Sequence, residues 1–169
     1  MRLAPIALSL AIVLGTMASA GHGQKPDDQI DPRSVALTQQ AQALNTQARY
    51  QEAVDLLETA LVIDPRNRQA YMGLAKAAQG QKLPGKAVKF YFDALKLEPN
   101  DVAALAGQGE ALVQRGAVER AKRNLERIRT LCADPCPQAT TLAQVIAKGP
   151  PPEVLTAQRP EVGTPTNDN

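Results

Sequence analysis

The chain has 169 residues, 44% of them apolar, 3% aromatic and none Trp, which suits one packed domain with a core of Ala, Leu, Val and Ile. Its formal net charge of +2 excludes both the strongly basic balance of a nucleic-acid binder and the highly charged, apolar-poor composition of a wholly disordered chain.

Residues 1–20 read as a secretory signal: Arg2 supplies a positive start, residues 3–14 an apolar run, and Ala18, Ser19 and Ala20 a small-residue cleavage site, predicting a mature start at Gly21. The apolar run is short of the roughly 20 residues that span a bilayer. Export to the periplasm is therefore the expectation, with an uncleaved inner-membrane anchor as the alternative. No Cys stands at the cleavage point, so a lipoprotein anchor is not supported. Loss of Arg2 leaves 18 basic and 17 acidic residues, a net of +1.

Residues 21–33 carry Gly, Pro and Asp and are expected to be a flexible linker. They include His22, the only histidine. Its place beside the predicted mature end removes Ser–His–Asp triads from consideration, and its being alone removes multi-histidine metal clusters. Were Ala20 the first mature residue, His22 would be third, in a pattern that suits square-planar copper or nickel. The plain reading is a linker residue, and no metal is assigned.

From residue 34 onward the sequence repeats. Residues 53–65 and 87–99 superimpose at an offset of 34, aligning Ala53, Leu56, Leu57, Ala60 and Leu61 with Ala87, Phe90, Tyr91, Ala94 and Leu95. The i, i+3, i+4, i+7, i+8 spacing is that of a helix face. Upstream, Leu37, Ala41 and Leu44 align with Tyr71, Ala75 and Ala78 and then with Leu105, Gly109 and Leu112. Each unit is thus a pair of helices, and the spacing predicts helices near 34–47, 51–63, 67–81, 85–97, 101–115, 117–131 and 137–148. Small residues at Ala41, Ala75 and Gly109, and at Ala53, Ala87 and Ala121, allow close helix approach. Pro65 and Pro99 end the second helices.

These columns, over residues 34–133, resemble the tetratricopeptide repeat. The resemblance implies an all-α fold, an α-α superhelix of three helix–turn–helix repeats closed by a capping helix, spanning residues 34–148. The third copy departs from the pattern: Ile128 replaces a small residue, Ala133 replaces the closing proline, and Asn124 interrupts the apolar stripe, as a terminal repeat allows. The cap carries Leu142, Val145 and Ile146 on one face. Gly149 and Pro150, Pro151 and Pro152 are expected to stop it and to begin a disordered, Pro-rich tail over 149–169.

The resemblance also implies a concave groove lined by the first helix of each unit. The matching positions are Val35, Thr38, Gln42 and Asn45, then Gln69, Met72, Lys76 and Gln79, then Ala103, Ala106, Glu110 and Val113. Small, polar and flexible side chains suit hydrogen bonding to a peptide main chain and modest apolar contact. Only Lys76 and Glu110 are charged, so the basic cluster with which some relatives clamp a terminal carboxylate is missing.

Cys132 and Cys136 flank the turn before the cap. In an oxidising compartment a disulfide staple is expected. The alternative is a redox-active pair, since Cys136 starts a helix where a thiolate is favoured, and a zinc site lacks further ligands. Arg115, Arg120, Lys122, Arg123, Arg127 and Arg129 form a basic stripe, read either as a docking face for an acidic partner or as a solvated face paired through Glu119–Arg123 and Lys122–Glu126. No phosphate-cradling glycine loop, nucleophile elbow or supported carboxylate pair occurs.

The expectation is a non-catalytic adapter without cofactor. It holds a protein or peptide partner, with neither nucleic acid nor a small-molecule substrate, in envelope or surface-machinery assembly that can include a membrane-associated complex. The alternative is a thiol–disulfide active protein using Cys132 and Cys136.

Overall fold

Helices form wherever the 34-residue period runs. The computed structural model describes residues 29–157, in the order α1 (Pro32–Thr46), α2 (Tyr50–Ile63), α3 (Arg68–Gly80), α4 (Pro84–Leu97), α5 (Val102–Gln114), α6 (Val118–Leu131), α7 (Pro137–Lys148) and α8 (Pro152–Ala157). No strand occurs among the described residues. The signal-like segment, His22 and residues 158–169 lie outside them.

Both ends of the helices follow the repeat. Asn67 accepts from the backbone N–H of Ala70 at 3.2 Å at the start of α3, and Asp101, one period later, accepts from Ala104 at 2.9 Å at the start of α5. Asp101 also forms an ion pair with Arg68, tying the first turns of α3 and α5 together. Between the paired helices the chain turns at Ala48 and Lys82, both at φ 58°, and at Gly116, at φ 83°. At each turn the following N–H bonds back across the helix end: Arg49 to Leu44, Leu83 to Ala78 and Ala117 to Leu112, at 3.0, 2.8 and 2.8 Å. This left-handed closure satisfies carbonyls that a helix end would otherwise leave unpaired.

Successive helices pack antiparallel, and the core runs along the stack. Ala41, Ala53, Ala75, Ala87 and Ala121 are wholly buried, so backbones approach where a larger side chain would hold them apart. Leu57 and Leu74 fill the first layer, Tyr91 and Leu112 the middle, and Ile128 and Leu142 the last. Full burial of each leucine or isoleucine contributes about 1.5–3 kcal/mol. Leu142 brings α7 onto Gly109: a Cβ there would stand 2.7 Å from its δ-carbons.

The first layer also holds a polar network. Ser34 Oγ donates to the Ala60 carbonyl at 2.7 Å, Thr38 Oγ1 donates to the Ser34 carbonyl at 2.8 Å, and Asn67 Nδ2 donates to both hydroxyls at 2.8 and 2.9 Å. The buried Asp64 carboxylate, at the end of α2, accepts from the backbone N–H groups of Asp31 and Arg66, each at 3.0 Å, and from the Arg66 guanidinium at 3.2 Å. Buried polar groups are tolerable because they find partners.

The prolines after Gly149 do not leave the chain without structure throughout. Pro152 opens the short helix α8 where the sequence reading had a disordered tail. A proline is suited to the first position of a helix, where its missing N–H costs nothing, as Pro32, Pro84 and Pro137 also show.

Candidate partner-binding groove

The helices divide into two sets with different neighbours. α1 packs on α3, α3 on α5 and α5 on α7, whereas α2, α4 and α6 make no comparable contact with one another. Helices crowded along one side and splayed along the other give a curved stack, with α1, α3 and α5 on its inner face.

On that face Val35, Gln42, Gln69, Lys76 and Ala103 are exposed and Asn45, Gln79 and Glu110 are partly so. Four expected groove residues are instead buried: Thr38, Met72, Ala106 and Val113. Thr38, Met72 and Ala106 form one column of the repeat, and that column turns into the core; the Thr38 hydroxyl is consumed by Ser34 and Asn67. Val113 differs from its repeat equivalents Asn45 and Gln79 because it joins the apolar cluster that includes Val145 and Ile146 of the cap, leaving it 1% exposed.

Two cavities of similar size lie along this face. The first, about 410 Å³, is lined by Gln42, Asn45, Thr46, Tyr50 and Lys76. Asn45 Nδ2 donates to the Gly73 carbonyl at 3.0 Å, which fixes the amide across α1 and α3. Its Oδ1 is buried and accepts from no donor among the described residues. The second cavity, about 400 Å³, is lined by Gln79, Lys82, Pro84, Gln114, Pro151, Glu153 and Val154. Gln79 is oriented there by the Tyr91 hydroxyl, which donates to its Oε1 at 2.8 Å. Thr46, Tyr50, Lys82, Pro84 and Gln114 are not among the groove positions the resemblance implies, although Tyr50 and Pro84, both at the first position of a second helix and one period apart, mark the place in the sequence.

Burial sets the protonation of this side. Glu110 is half-buried, and loss of hydration raises its carboxyl above the ordinary glutamate value. Burial, and then the Glu110 charge, raise the Tyr91 phenol, which holds it neutral as a donor.

At the far end, Cys132 and Cys136 form a disulfide with Cα atoms 5.9 Å apart, linking the end of α6 to the first turn of α7 around a cis Asp134–Pro135 peptide. The basic stripe of α6 is paired in a different register from the one expected: Lys122 bonds Glu119 and Arg129 bonds Glu126, both at 2.7 Å, and Arg127 donates to Asn100 at 3.2 Å. Three-residue spacing brings these long side chains together as readily as four. Among the described residues no group of three His, Cys, Asp or Glu could hold a metal, and no helix is long and apolar enough to cross a membrane.

Paired helices of fixed period, stacked with one set on a concave face, define an α-solenoid. Residues 34–77 match the sequence model of the tetratricopeptide repeat. The fold is that of tetratricopeptide-repeat domains. No curated protein matches it. Among solved structures it is similar to the first such domain of Spaghetti (RPAP3) bound to the HSP90 peptide SRMEEVD, with 23% identity and a TM-score of 0.63 over 69% of this chain and 91% of that one. The second domain of human RPAP3, in complex with the HSP70 peptide SGPTIEEVD, gives 20% and 0.63 over 68% and 95%. The Yersinia enterocolitica type III secretion chaperone SycD, in complex with a peptide of the translocator YopD, gives 18% and 0.59 over 68% and 86%.

Proposed function

We propose that the chain is a non-catalytic adapter that holds an extended segment of a partner protein along its concave face. The observation that carries the reading is Asn45: a fixed amide whose buried Oδ1 accepts from no donor among the described residues, beside the exposed Lys76 ammonium and the Gln42 amide. A buried acceptor left unmade costs about 1–3 kcal/mol, which a backbone N–H from a bound segment would recover if its seating uncovers the oxygen. Peptides bound by proteins of the same fold are in keeping with this use.

The signal-like start of the sequence supports export, and the disulfide suits an oxidising compartment. The proposal extends to a periplasmic location and to a part in the assembly of envelope or surface machinery. Lys76 offers a cation to a carboxylate on the segment, while the wider basic cluster of a dedicated terminal clamp is missing from the groove.

Photo-crosslinking in intact cells tests the reading. A benzophenone residue at Gln42 or Gln69 is expected to capture a discrete partner, and one at Val62, on the opposite face and 83% exposed, is expected to capture none. Capture from Val62 alone would move the binding surface to the convex side.

A further inference from the structure

The two groove cavities are related by the repeat. Asn45 and Tyr50 line the first; Gln79 and Pro84, 34 residues later, line the second. Among the described residues the first is bounded by α1, α3 and the start of α2. The second is walled by the chain's own C-terminal segment, because Pro151, Glu153 and Val154 face Gln79, Lys82 and Gln114 across it.

The path of the chain explains how the segment arrives there. Gly149 adopts φ 75°, in the left-handed region, with nothing within 4 Å of where a side chain would start. It ends α7, and three prolines follow. Prolines have few states to lose on ordering, so the return costs little entropy. The backbone then closes at α8, with Val154 N–H bonding to the Pro151 carbonyl at 3.0 Å. Although the segment follows the cap, it faces the end of α3 and the first turn of α4, in the second repeat, across this cavity. Its chemistry is complementary to what it meets: the Glu153 carboxylate shares the cavity with the Lys82 ammonium, and partly buried Pro151 and Val154 share it with Pro84.

We infer that residues 150–157 are an intramolecular ligand of the groove, closing over its second cavity while, among the described residues, the repeat-related first cavity stays uncovered. A partner segment therefore docks on the Asn45 side without competition and extends past Gln79 only by displacing α8. This consequence rests on the groove being the peptide site; the closure itself does not. A tethered ligand competes at high effective concentration, so removing it frees the second cavity.

The test uses the full chain, isotopically labelled, and a synthetic peptide of residues 150–169. Val154→Asp is expected to shift the backbone amide resonances of Gln79, Lys82 and Gln114 and to leave those of Gln42 and Thr46 in place. The added peptide is expected to return the shifted resonances toward their wild-type positions, and to bind the variant about tenfold more tightly than the wild type. Unmoved amides at Gln79, Lys82 and Gln114 would overturn the inference, as would equal affinity for both proteins or none for either. Val154→Ala, read in the same way, serves if the charged variant does not fold. Because no outside partner is used, failure here is distinct from failure of the crosslinking at Gln42.

Discussion

Tyr91 presses its ring against the backbone of Gly107, so closely that a Cβ on Gly107 would fall inside the ring's contact distance, and one repeat earlier Leu57 meets Gly73 in the same way. Each pair joins the second helix of one unit to the first helix of the next. Both side chains are almost fully buried and have little room to retreat. Gly107→Ala is therefore expected to destabilise by about 1–3 kcal/mol through overpacking. Gly85→Ala, at an open helical position with nothing within 4 Å, is expected to stabilise by about 0.5–1 kcal/mol. Denaturant midpoints of the two variants check the contrast, and equal shifts would mean that the close approach does not exist.

The turns between paired helices make a second prediction. Ala48 and Lys82 hold φ 58°, where their repeat equivalent is Gly116. A side chain in the left-handed region is strained, so Ala48→Gly and Lys82→Gly are each expected to raise stability by up to about 1 kcal/mol after the larger unfolded-state entropy of glycine is set against the relief. Thermal melts read this directly, and a fall in Tm for both would contradict the turn geometry.

Acid should act first at the N-terminal layer. Hydrogen bonds from Arg66 chiefly, opposed by burial and aided by the backbone N–H groups of Asp31 and Arg66, hold the Asp64 carboxyl below the ordinary aspartate range. A depressed folded value means stability that is present above the unfolded pKa of about 3.9 and is lost as pH falls through the lower folded one. Asp64→Asn is expected to cost stability at pH 7 and to lose less of it between pH 4 and pH 2 than the wild type does. An unchanged acid limb of the stability profile would remove Asp64 as the cause.

Glu110 has the opposite sign. Burial raises its folded pKa, so its contribution is fully present below the unfolded value of about 4.3 and is lost as pH rises through the folded one. Glu110→Gln is expected to raise Tm at pH 7, the gain shrinking toward nothing near pH 4. A gain that persists at pH 4 would point to packing instead of charge.

The disulfide closes a short loop at the end of the solenoid. In the chain-entropy picture its loss removes about 2 kcal/mol. Cys132→Ser with Cys136→Ser is expected to increase hydrogen exchange in α7 while leaving α1 to α4 protected, since repeat proteins open from their ends.

The fold was legible because two periods coincide in the sequence: the helical stripe within each element and the 34-residue offset between them. Ala53, Ala87 and Ala121 declared a close-packed column, and that column is fully buried. The groove was less legible. Thr38, Met72 and Ala106 sit on the edge of the helical face, where a small rotation decides between core and surface, and no pattern of residue type announces that rotation. Val113 depends on the cap, a contact between elements that the repeat does not encode. α8 escaped because three consecutive prolines were read as an end, whereas a proline also starts a helix. The Gly73 and Gly107 column lies one period apart and was open to view, yet its meaning required knowing which helix faces it.

The proposed function turns on the concave face around Asn45 holding the partner segment. Its most direct measurement is the affinity of the crosslinked segment, as a synthetic peptide, for wild type, Asn45→Ala and Val62→Asp, alongside amide shift mapping. Shifts centred on Gln42, Thr46 and Lys76 are expected, with loss of about tenfold or more in affinity with Asn45→Ala and no change with Val62→Asp. Undiminished binding by Asn45→Ala together with loss in Val62→Asp would contradict the proposed function.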